Sequence, residues 1–275
     1  MKIKYALLDK LNTLTNREID FILYVARFQD ECGYVKGLYY RNVCDNAKMC
    51  KQTFYDTLRS LKQKGIITYN RVDSDYDITI LNNDFSYPSA YSEGYINVSR
   101  KVFHTEKFRK LKAKEKILLL HFMKITHSSN SSYQIGTDKL YKKYMDMLGV
   151  TKRVLRGYLH TLRKYFSIGI KDGKYFINYL ASVFNNRVEV SETDQYFDHL
   201  VLVSCRRSRI KRVAEQEVKE IITVIKQYRQ DAMNSGKKIV DLVDTCIQGS
   251  VEGTKEKVLN SRYVHKLVRT ALLSI

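Results

Sequence analysis

The spacing of apolar residues predicts a helix, a glycine cap and a strand in immediate succession. Within residues 51–64, apolar side chains recur at i, i+4 and i+7 and therefore share one helical face: Phe54, Leu58 and Leu61. Gly65 is the residue type that ends a helix in the left-handed conformation without steric cost. Because residues 66–72 are rich in β-branched and aromatic side chains, we expect a strand directly after this glycine.

More elements surround this helix. Residues 15–29 form an amphipathic pattern that begins at a threonine and carries Glu18 three positions later, which is the spacing of a helix capping box. Residues 40–47 predict a short helix, and residues 78–81 predict a second strand after the polar turn 73–75. The N-terminal part of the chain therefore predicts three helices followed by a β-hairpin.

This pattern occurs twice along the chain. A shift of 101 residues aligns 51–61 with 152–162 and superposes their apolar positions. A shift of 97 residues aligns 14–23 with 111–120 and matches two glutamates, Glu18 and Glu115. Since order, spacing and apolar positions agree in both alignments, the sequence predicts two copies of one structural unit.

The second copy predicts its own hairpin. Residues 167–170 and 175–180 are β-prone and flank the turn 171–174, which contains Asp-Gly, a pair preferred in tight hairpin turns. Four extra residues in this copy are expected in the polar stretch 128–134, which predicts a loop. The segment 82–99 holds the only proline and predicts a linker whose last residues begin the second copy.

We expect a mainly α protein of the α+β class with small β-hairpins. Its predicted domains are residues 1–85, 86–186 and 187–275. The third is predicted to be helical because it carries two apolar stripes, one of which includes Ile221, Ile225 and Tyr228. Stripes of this kind form either a domain core or the seam of a homodimer through the C-terminal helices, and both interpretations are open.

The order of three helices and a hairpin in residues 14–81 resembles winged helix-turn-helix DNA-binding domains. The resemblance implies tandem winged helices, with residues 51–64 and 152–162 as their recognition helices. The stretches YINVSRKVFHTEKFRKLKAKEKILLLHF (95–122) and LGVTKRVLRGYLHTL (148–162) are also similar to the DNA-binding part of plasmid replication initiators of low-GC Gram-positive bacteria. In that family, an aromatic-rich lead-in and an EKxLLL-type helix precede the recognition helix.

Charge points to a polyanionic partner. Lysine and arginine number 48 against 29 aspartates and glutamates, which gives a net charge of +19. The charge is uneven: residues 1–85 carry +2, residues 86–186 carry +13 and residues 187–275 carry +4. We therefore expect the second domain to supply most of the attraction to double-stranded DNA.

The predicted DNA contacts lie on the outer faces of the two recognition helices and on the second wing. Arginine and glutamine pair with base edges in the major groove, whereas wing lysines suit phosphates. The expected contact residues are Lys51, Gln52, Tyr55, Arg59, Lys152, Arg153, Arg156, His160, Arg163, Lys171 and Lys174. The first wing carries Asp73, Asp75 and Asp77, which phosphates repel, so we expect it to point away from DNA or to contact protein.

Two basic features keep alternative interpretations. A solvated helix face is the alternative for the charged faces above, and a solvated helix junction is the alternative to phosphate binding for the basic run 205–212. Gly157 disfavours its predicted helix by about 1 kcal/mol relative to alanine. It either permits close approach of a backbone or is simply an unfavourable residue.

Motifs of catalysis, metal binding and membrane insertion are missing from the sequence. The five cysteines form no CxxC pair, GSVEGTK (249–255) lacks the Gly-Lys-Ser/Thr of a phosphate loop, and no apolar run approaches the roughly 20 residues of a membrane span. We therefore expect a cytoplasmic protein of the bacterial nucleoid or a plasmid, with no membrane contact, enzymatic activity, metal or cofactor.

The leading hypothesis is a sequence-specific double-stranded DNA-binding protein that acts in plasmid or mobile-element replication initiation. One alternative is a transcriptional regulator whose helical tail dimerises or senses a ligand. Another is an adaptor that joins DNA to a replication or partition protein. Tandem iterated target repeats favour replication or partition, whereas a single palindrome over a promoter favours regulation.

Overall fold

The computed structural model describes residues 1–98, 102–103, 105–126, 132–184, 192–254 and 257–273. The protein is mainly helical with small antiparallel sheets, which confirms the predicted fold class at this level. It divides into two compact units. The first unit consists of Met1–Val35, Tyr40–Tyr69 and Ile78–Val188, and the second of Lys36–Tyr39, Asn70–Asp77 and Glu189–Ile275. The three domains drawn from the sequence stay a prediction.

The first copy of the repeat follows a short N-terminal strand, β1 (Lys2–Lys4), and helix, α1 (Tyr5–Lys10). Its elements are α2 (Asn16–Val25), β2 (Tyr34–Leu38), α3 (Tyr40–Ala47), α4 (Lys51–Gln63), β3 (Ile67–Val72) and β4 (Asp75–Ile80). The strands form a sheet in the order β2-β4-β3. The sequence predicted all of these elements except β2, and it placed Asp75 in the turn whereas the structure places it in β4.

The segment predicted as a linker is packed structure. Strand β5 (Tyr95–Asn97) pairs antiparallel with β1, and Ile3 lies opposite Ile96. Ala90, Ile96 and Val98 are fully buried. This pairing joins residues more than 90 positions apart, which local patterns cannot indicate.

The second copy repeats the element order of the first. After α5 (Glu106–Arg109) it contains α6 (Ala113–Thr126), β6 (Tyr133–Gly136), α7 (Thr137–Leu148), α8 (Lys152–Leu162), β7 (Phe166–Lys171) and β8 (Lys174–Tyr179), and a short helix α9 (Ala181–Phe184) follows. The sheet order is β6-β8-β7, which matches the first sheet. Strand β6 occupies the end of the predicted loop 128–134, whose residues 128–131 lie outside the described residues.

The two glutamates matched by the sequence shift have the same structural role. Glu18 accepts a hydrogen bond from the backbone N–H of Thr15 at 2.6 Å, and Glu115 accepts one from the backbone N–H of Lys112 at 2.8 Å. Each satisfies a donor that a helix N-terminus leaves unpaired. At the other end of α4, Gly65 has φ of +64°, as its predicted role as a cap requires.

A buried ion pair joins the first helices of the two copies. Lys116 of α6 is fully buried and donates to Asp20 of α2, with 2.7 Å between Nζ and Oδ1. Burial lowers the pKa of Lys116 and raises the pKa of Asp20, and their mutual attraction opposes both shifts. Removing one partner would leave the other charge buried and unpaired, which typically destabilises a protein by 3–5 kcal/mol.

The C-terminal helices form the core of the second unit. They are α10 (Glu192–Arg207), α11 (Glu215–Asn234), α12 (Ile239–Ser250) and α13 (Ser261–Leu273). Ile221 and Ile225 of the predicted stripe pack there with Val264 and Val268 of the C-terminal stripe, and all four are buried. Ile221 and Ile225 therefore belong to a domain core, and a homodimer through the C-terminal helices stays a prediction.

The core position of Ile225 leads to a stability prediction. Ile225→Asp should destabilise the second unit by at least about 3 kcal/mol, because it removes a buried side chain and inserts an unpaired charge. Gln227→Asp, on the exposed side of the same helix, is the matched control and should stay near wild type. Urea unfolding followed by circular dichroism measures both. A stable Ile225→Asp protein that has only lost self-association would restore the dimer-seam interpretation.

A buried histidine predicts how stability depends on pH. The Nε2 atom of His121 in α6 is buried, has no hydrogen-bond partner among the described residues, and burial lowers the pKa of this imidazole to about 4. Between about pH 6.5 and pH 4, His121 is protonated in the unfolded chain but not in the folded chain. Stability is therefore lost as pH falls through this range. His121→Leu should reduce the loss between pH 8 and pH 5 by roughly 2 kcal/mol. Identical pH dependence of urea midpoints in both proteins would contradict this.

Candidate nucleic-acid interface

Helix α8 turns a basic face outward. Its buried side consists of Leu155, Tyr158, Leu159 and Leu162, and most of its other positions are exposed. The five predicted contacts on this helix and at its C-terminal end are all exposed: Lys152, Arg153, Arg156, His160 and Arg163. Among the described residues, no carboxylate forms an ion pair with any of the five. The positive charge of this face is therefore uncompensated within the described chain.

Helical geometry sorts these positions into two rows. At 3.6 residues per turn, the centre of the outward face carries Arg153, Gly157, His160 and Lys164. The flank of the face carries Lys152, Arg156 and Arg163. We call these the central row and the flank row. A Cβ atom built on Gly157 meets no described atom within 4 Å, so packing among the described residues does not require glycine there.

Two buried tyrosines hold the flank row. Tyr141 of α7 and Tyr175 of β8 are each 5% exposed, and their hydroxyl oxygens lie 2.8 Å apart. The Nε of Arg156 donates to the Tyr141 hydroxyl at 3.2 Å, and Nζ of Lys152 lies 4.6 Å from the centroid of the Tyr141 ring. We call Tyr141 and Tyr175 the tyrosine pair. It connects α7, α8 and β8 at one point.

The groups around the tyrosine pair shift the pKa values of its two members in opposite directions. Burial raises the pKa of Tyr141, but hydrogen bonds with Tyr175 and Arg156 outweigh burial and lower that pKa below its usual value. Burial and the hydrogen bond to Tyr141 raise the pKa of Tyr175 to about 12. The hydrogen bond from Arg156 to Tyr141 also raises the pKa of Arg156. The surroundings of Tyr141 thus stabilise negative charge near its hydroxyl.

The second hairpin presents two lysines at its tip. Asp172 and Gly173 form the two-residue turn with φ of +48° and +69°, the conformation expected for Asp-Gly in a tight hairpin. Lys171 lies directly opposite Lys174 in the strand register, and both are exposed. Thr137, at the start of α7, fixes the turn by donating its backbone N–H and its hydroxyl to the Gly173 carbonyl at 3.0 and 2.8 Å. Like charges in direct cross-strand positions repel each other, and a bound anion would relieve this repulsion.

Helix α4 differs because its polar face contains a carboxylate. Asp56 accepts from Gln52 at 3.0 Å and forms an ion pair with Arg59 at 2.6 Å. The two predicted base-contacting residues of this helix are therefore joined through one aspartate. Lys51 is exposed with its Nζ 5.2 Å from the centroid of the Tyr40 ring, and Tyr55 is half-buried.

The tip of the first hairpin belongs to the second unit, where arginines neutralise it. Asp75 is 1% exposed and pairs with Arg206 at 2.9 Å and Arg207 at 3.2 Å. Arg207 also pairs with Asp77 at 2.6 Å. Burial lowers the pKa of Arg207, but the two carboxylates outweigh burial and raise this pKa. Asp75 and Asp77 of the predicted first wing thus contact arginines of the chain itself.

These ion pairs also correct the interpretation of the basic run 205–212. Arg206 and Arg207 are committed to the first hairpin, so neither the phosphate-binding nor the solvated interpretation holds for them. Only Arg209, Lys211 and Arg212 of this run are exposed.

Sequence reasoning missed the residues that organise the basic faces. Tyr141 lies in TDKLYKKYMDML (137–148), an amphipathic pattern with three lysines that would have indicated a basic helix before α8. Tyr175 lies in the strand predicted from its β propensity. No local signal links Tyr141 to Tyr175, since their contact spans 34 residues and depends on tertiary packing.

Metal ligands, membrane spans and thiols are the other features to consider in the described residues. No group of three histidine, cysteine, aspartate or glutamate side chains in them is arranged to hold a metal ion. None of the helices in this part of the chain combines the length and apolarity needed to cross a membrane. The cysteines are free thiols, and burial raises the pKa of Cys205 to about 12.

Comparison with known proteins adds no relative: no protein-family model, curated protein or solved structure matches this chain.

The open space around Gly157 leads to a prediction about folding. Gly157→Ala should stabilise the protein by roughly 1 kcal/mol, since alanine favours the helix and its methyl group meets nothing. Gly65→Ala has equal space but φ of +64°, so it should destabilise and serves as the contrasting variant. Urea midpoints measure both effects. A destabilised Gly157→Ala protein would show that α8 is strained at this position.

Proposed function

We propose that this protein binds double-stranded DNA sequence-specifically through two winged-helix units, of which the second supplies most of the affinity. The observation that carries the proposal is the face of α8, whose cations have no ion-pair partner among the described residues, together with the exposed Lys171–Lys174 hairpin tip. A basic face kept free of carboxylates suits a polyanion better than water.

The repeated topology supports the winged-helix part of the proposal. Each copy runs helix, strand, helix, helix and hairpin, and each sheet has its first strand next to its last. In a winged-helix arrangement, the third helix enters the major groove and the hairpin lies beside it along the backbone. The helices that would enter the groove are α4 and α8.

The distribution of charge supports unequal roles for the two copies. Asp56 neutralises Arg59 on α4, and the C-terminal arginines neutralise Asp75 and Asp77 on the first hairpin. On α8 and the second hairpin, the corresponding cations have no such partners among the described residues. We therefore assign base contacts with little salt dependence to α4, and the larger electrostatic share of affinity to the second copy.

The proposed biological setting is replication initiation on a plasmid or mobile element, in the bacterial cytoplasm. It rests on the resemblance of residues 95–122 and 148–162 to plasmid replication initiators. The adaptor alternative drew its support from an acidic first wing free to contact another protein. Because Asp75 and Asp77 are paired with Arg206 and Arg207, that support is removed.

The proposal predicts separable effects for base and phosphate contacts. Selection from a random duplex library with the purified protein would supply a preferred duplex, and a scrambled duplex of equal composition serves as control. Arg153→Ala should weaken binding to the preferred duplex by about 10- to 100-fold, with less loss on the scrambled one. Lys171→Ala and Lys174→Ala should weaken both duplexes alike and each reduce the slope of log K against log salt by about 0.9.

Fluorescence anisotropy across a salt series measures these effects. Lys266→Ala is the matched control, because this exposed lysine on α13 lies outside the proposed interface. If no sequence is enriched and wild-type binding does not depend on salt, the proposed function is wrong. If Arg153→Ala binds both duplexes as wild type does, α8 does not contact bases.

A further inference from the structure

The flank row of α8 has a more specific role than the basic face as a whole. The geometry points to a binding site for one backbone phosphate, formed by Lys152, Arg156 and the tyrosine pair. In this site Tyr141 is the residue that positions Arg156. This role rests on the proposed function. This differs from the expectation that Arg156 contacts a base.

The first support is an unfilled set of donors. Tyr141 and Tyr175 carry two hydroxyl hydrogens, and one of them is used in the bond between the two oxygens. Arg156 donates to Tyr141, and because a guanidinium has no acceptor atom, Arg156 cannot accept the other hydrogen. Among the described residues no further acceptor contacts this pair, so one O–H donor is left over on a tyrosine that is 5% exposed as a residue. A phosphate oxygen is an acceptor for a tyrosine hydroxyl.

The second support is the concentration of positive charge around that donor. Lys152 and Arg156 contact Tyr141, and the positive charges of Arg156 and Arg163 both act on Tyr175. Only one guanidinium N–H of Arg156, that of Nε, is used by Tyr141, so the terminal Nη groups remain for a ligand. A tetrahedral anion that accepts from an arginine, a lysine and a tyrosine satisfies all of these groups together.

The third support is the position of the row on the helix. A helix with its side chains is about 10–12 Å wide and fills a major groove of about 12 Å. When the central row faces the base edges, the flanks of the helix face the phosphate walls. Arg153 therefore lies where bases are contacted, and Lys152 and Arg156 lie where the backbone runs.

Tyrosine variants separate positioning from general stability. Tyr141→Phe removes the acceptor that orients Arg156 and should weaken binding to preferred and scrambled duplexes alike by about 3- to 10-fold, with the salt slope unchanged because no charge is lost. Tyr144→Phe is the matched control one turn along α7, since the buried Tyr144 hydroxyl has no hydrogen-bond partner among the described residues. It should bind as wild type does.

Arginine variants test the contact itself. Arg156→Ala should weaken both duplexes by the same factor and lower the salt slope by about 0.9, whereas Arg153→Ala should mainly reduce the preference between duplexes. Duplexes with single methylphosphonate substitutions, which neutralise one phosphate at a time, identify the partner. One such position should weaken the wild-type complex and have no further effect on the Arg156→Ala complex.

The outcomes distinguish this inference from the proposed function. Wild-type protein that binds no duplex overturns both. Wild-type binding with a selective loss on the preferred duplex in Arg156→Ala makes Arg156 a base contact and overturns the phosphate site alone. Wild-type affinity in Tyr141→Phe, with its folding verified by urea unfolding, excludes the positioning role of the tyrosine pair.

Discussion

A lysine ammonium that leaves water needs an anion beside it, and the contact of Lys116 with Asp20 imposes this requirement on the first unit. The pair joins α6 of the second copy to α2 of the first, each the opening helix of its copy and each with a capping glutamate. Apolar packing alone tolerates small rotations between helices, whereas a buried ion pair requires one relation of two atoms. Helices α4 and α8 are carried on a framework fixed in this way.

On that framework the two copies treat charge differently. In the first copy, Asp56 neutralises Arg59 on α4, and C-terminal arginines from outside the copy neutralise the carboxylates of its hairpin. On α8 and the second hairpin, the cations have no carboxylate partner among the described residues, and a tyrosine hydroxyl orients Arg156 instead. A tyrosine orients an arginine without cancelling its charge, whereas an aspartate orients the arginine and also cancels its charge. The difference between a neutral and a charged partner therefore separates two helices that share one apolar pattern.

The sequence was sufficient where a structure depends on neighbouring residues. The Glu18 cap, Gly65, the Asp-Gly hairpin and the buried sides of α4 and α8 were predicted from local spacing or from the repeat. It was insufficient for β2 and β6, which are short and gain their stability from partner strands, and for the β1–β5 pair, whose strands are far apart in the chain. The same limit applied to the candidate site. Exposure of the basic residues followed from periodicity, but the contacts of Arg156 with Tyr141 and of Arg206 with Asp75 depend on tertiary packing.

The pairing of Asp75 and Asp77 with Arg206 and Arg207 also bears on how such a chain can exchange parts during evolution. Recombination near residue 186 would swap one C-terminal helical region for another. The hairpin tip would stay behind, however, with carboxylates matched to arginines that had left with α10. A successful exchange must therefore bring a basic pair at the same place or replace the tip of the first hairpin at the same time. The structural unit that must be exchanged is discontinuous along the chain, and a boundary drawn between two helices divides it.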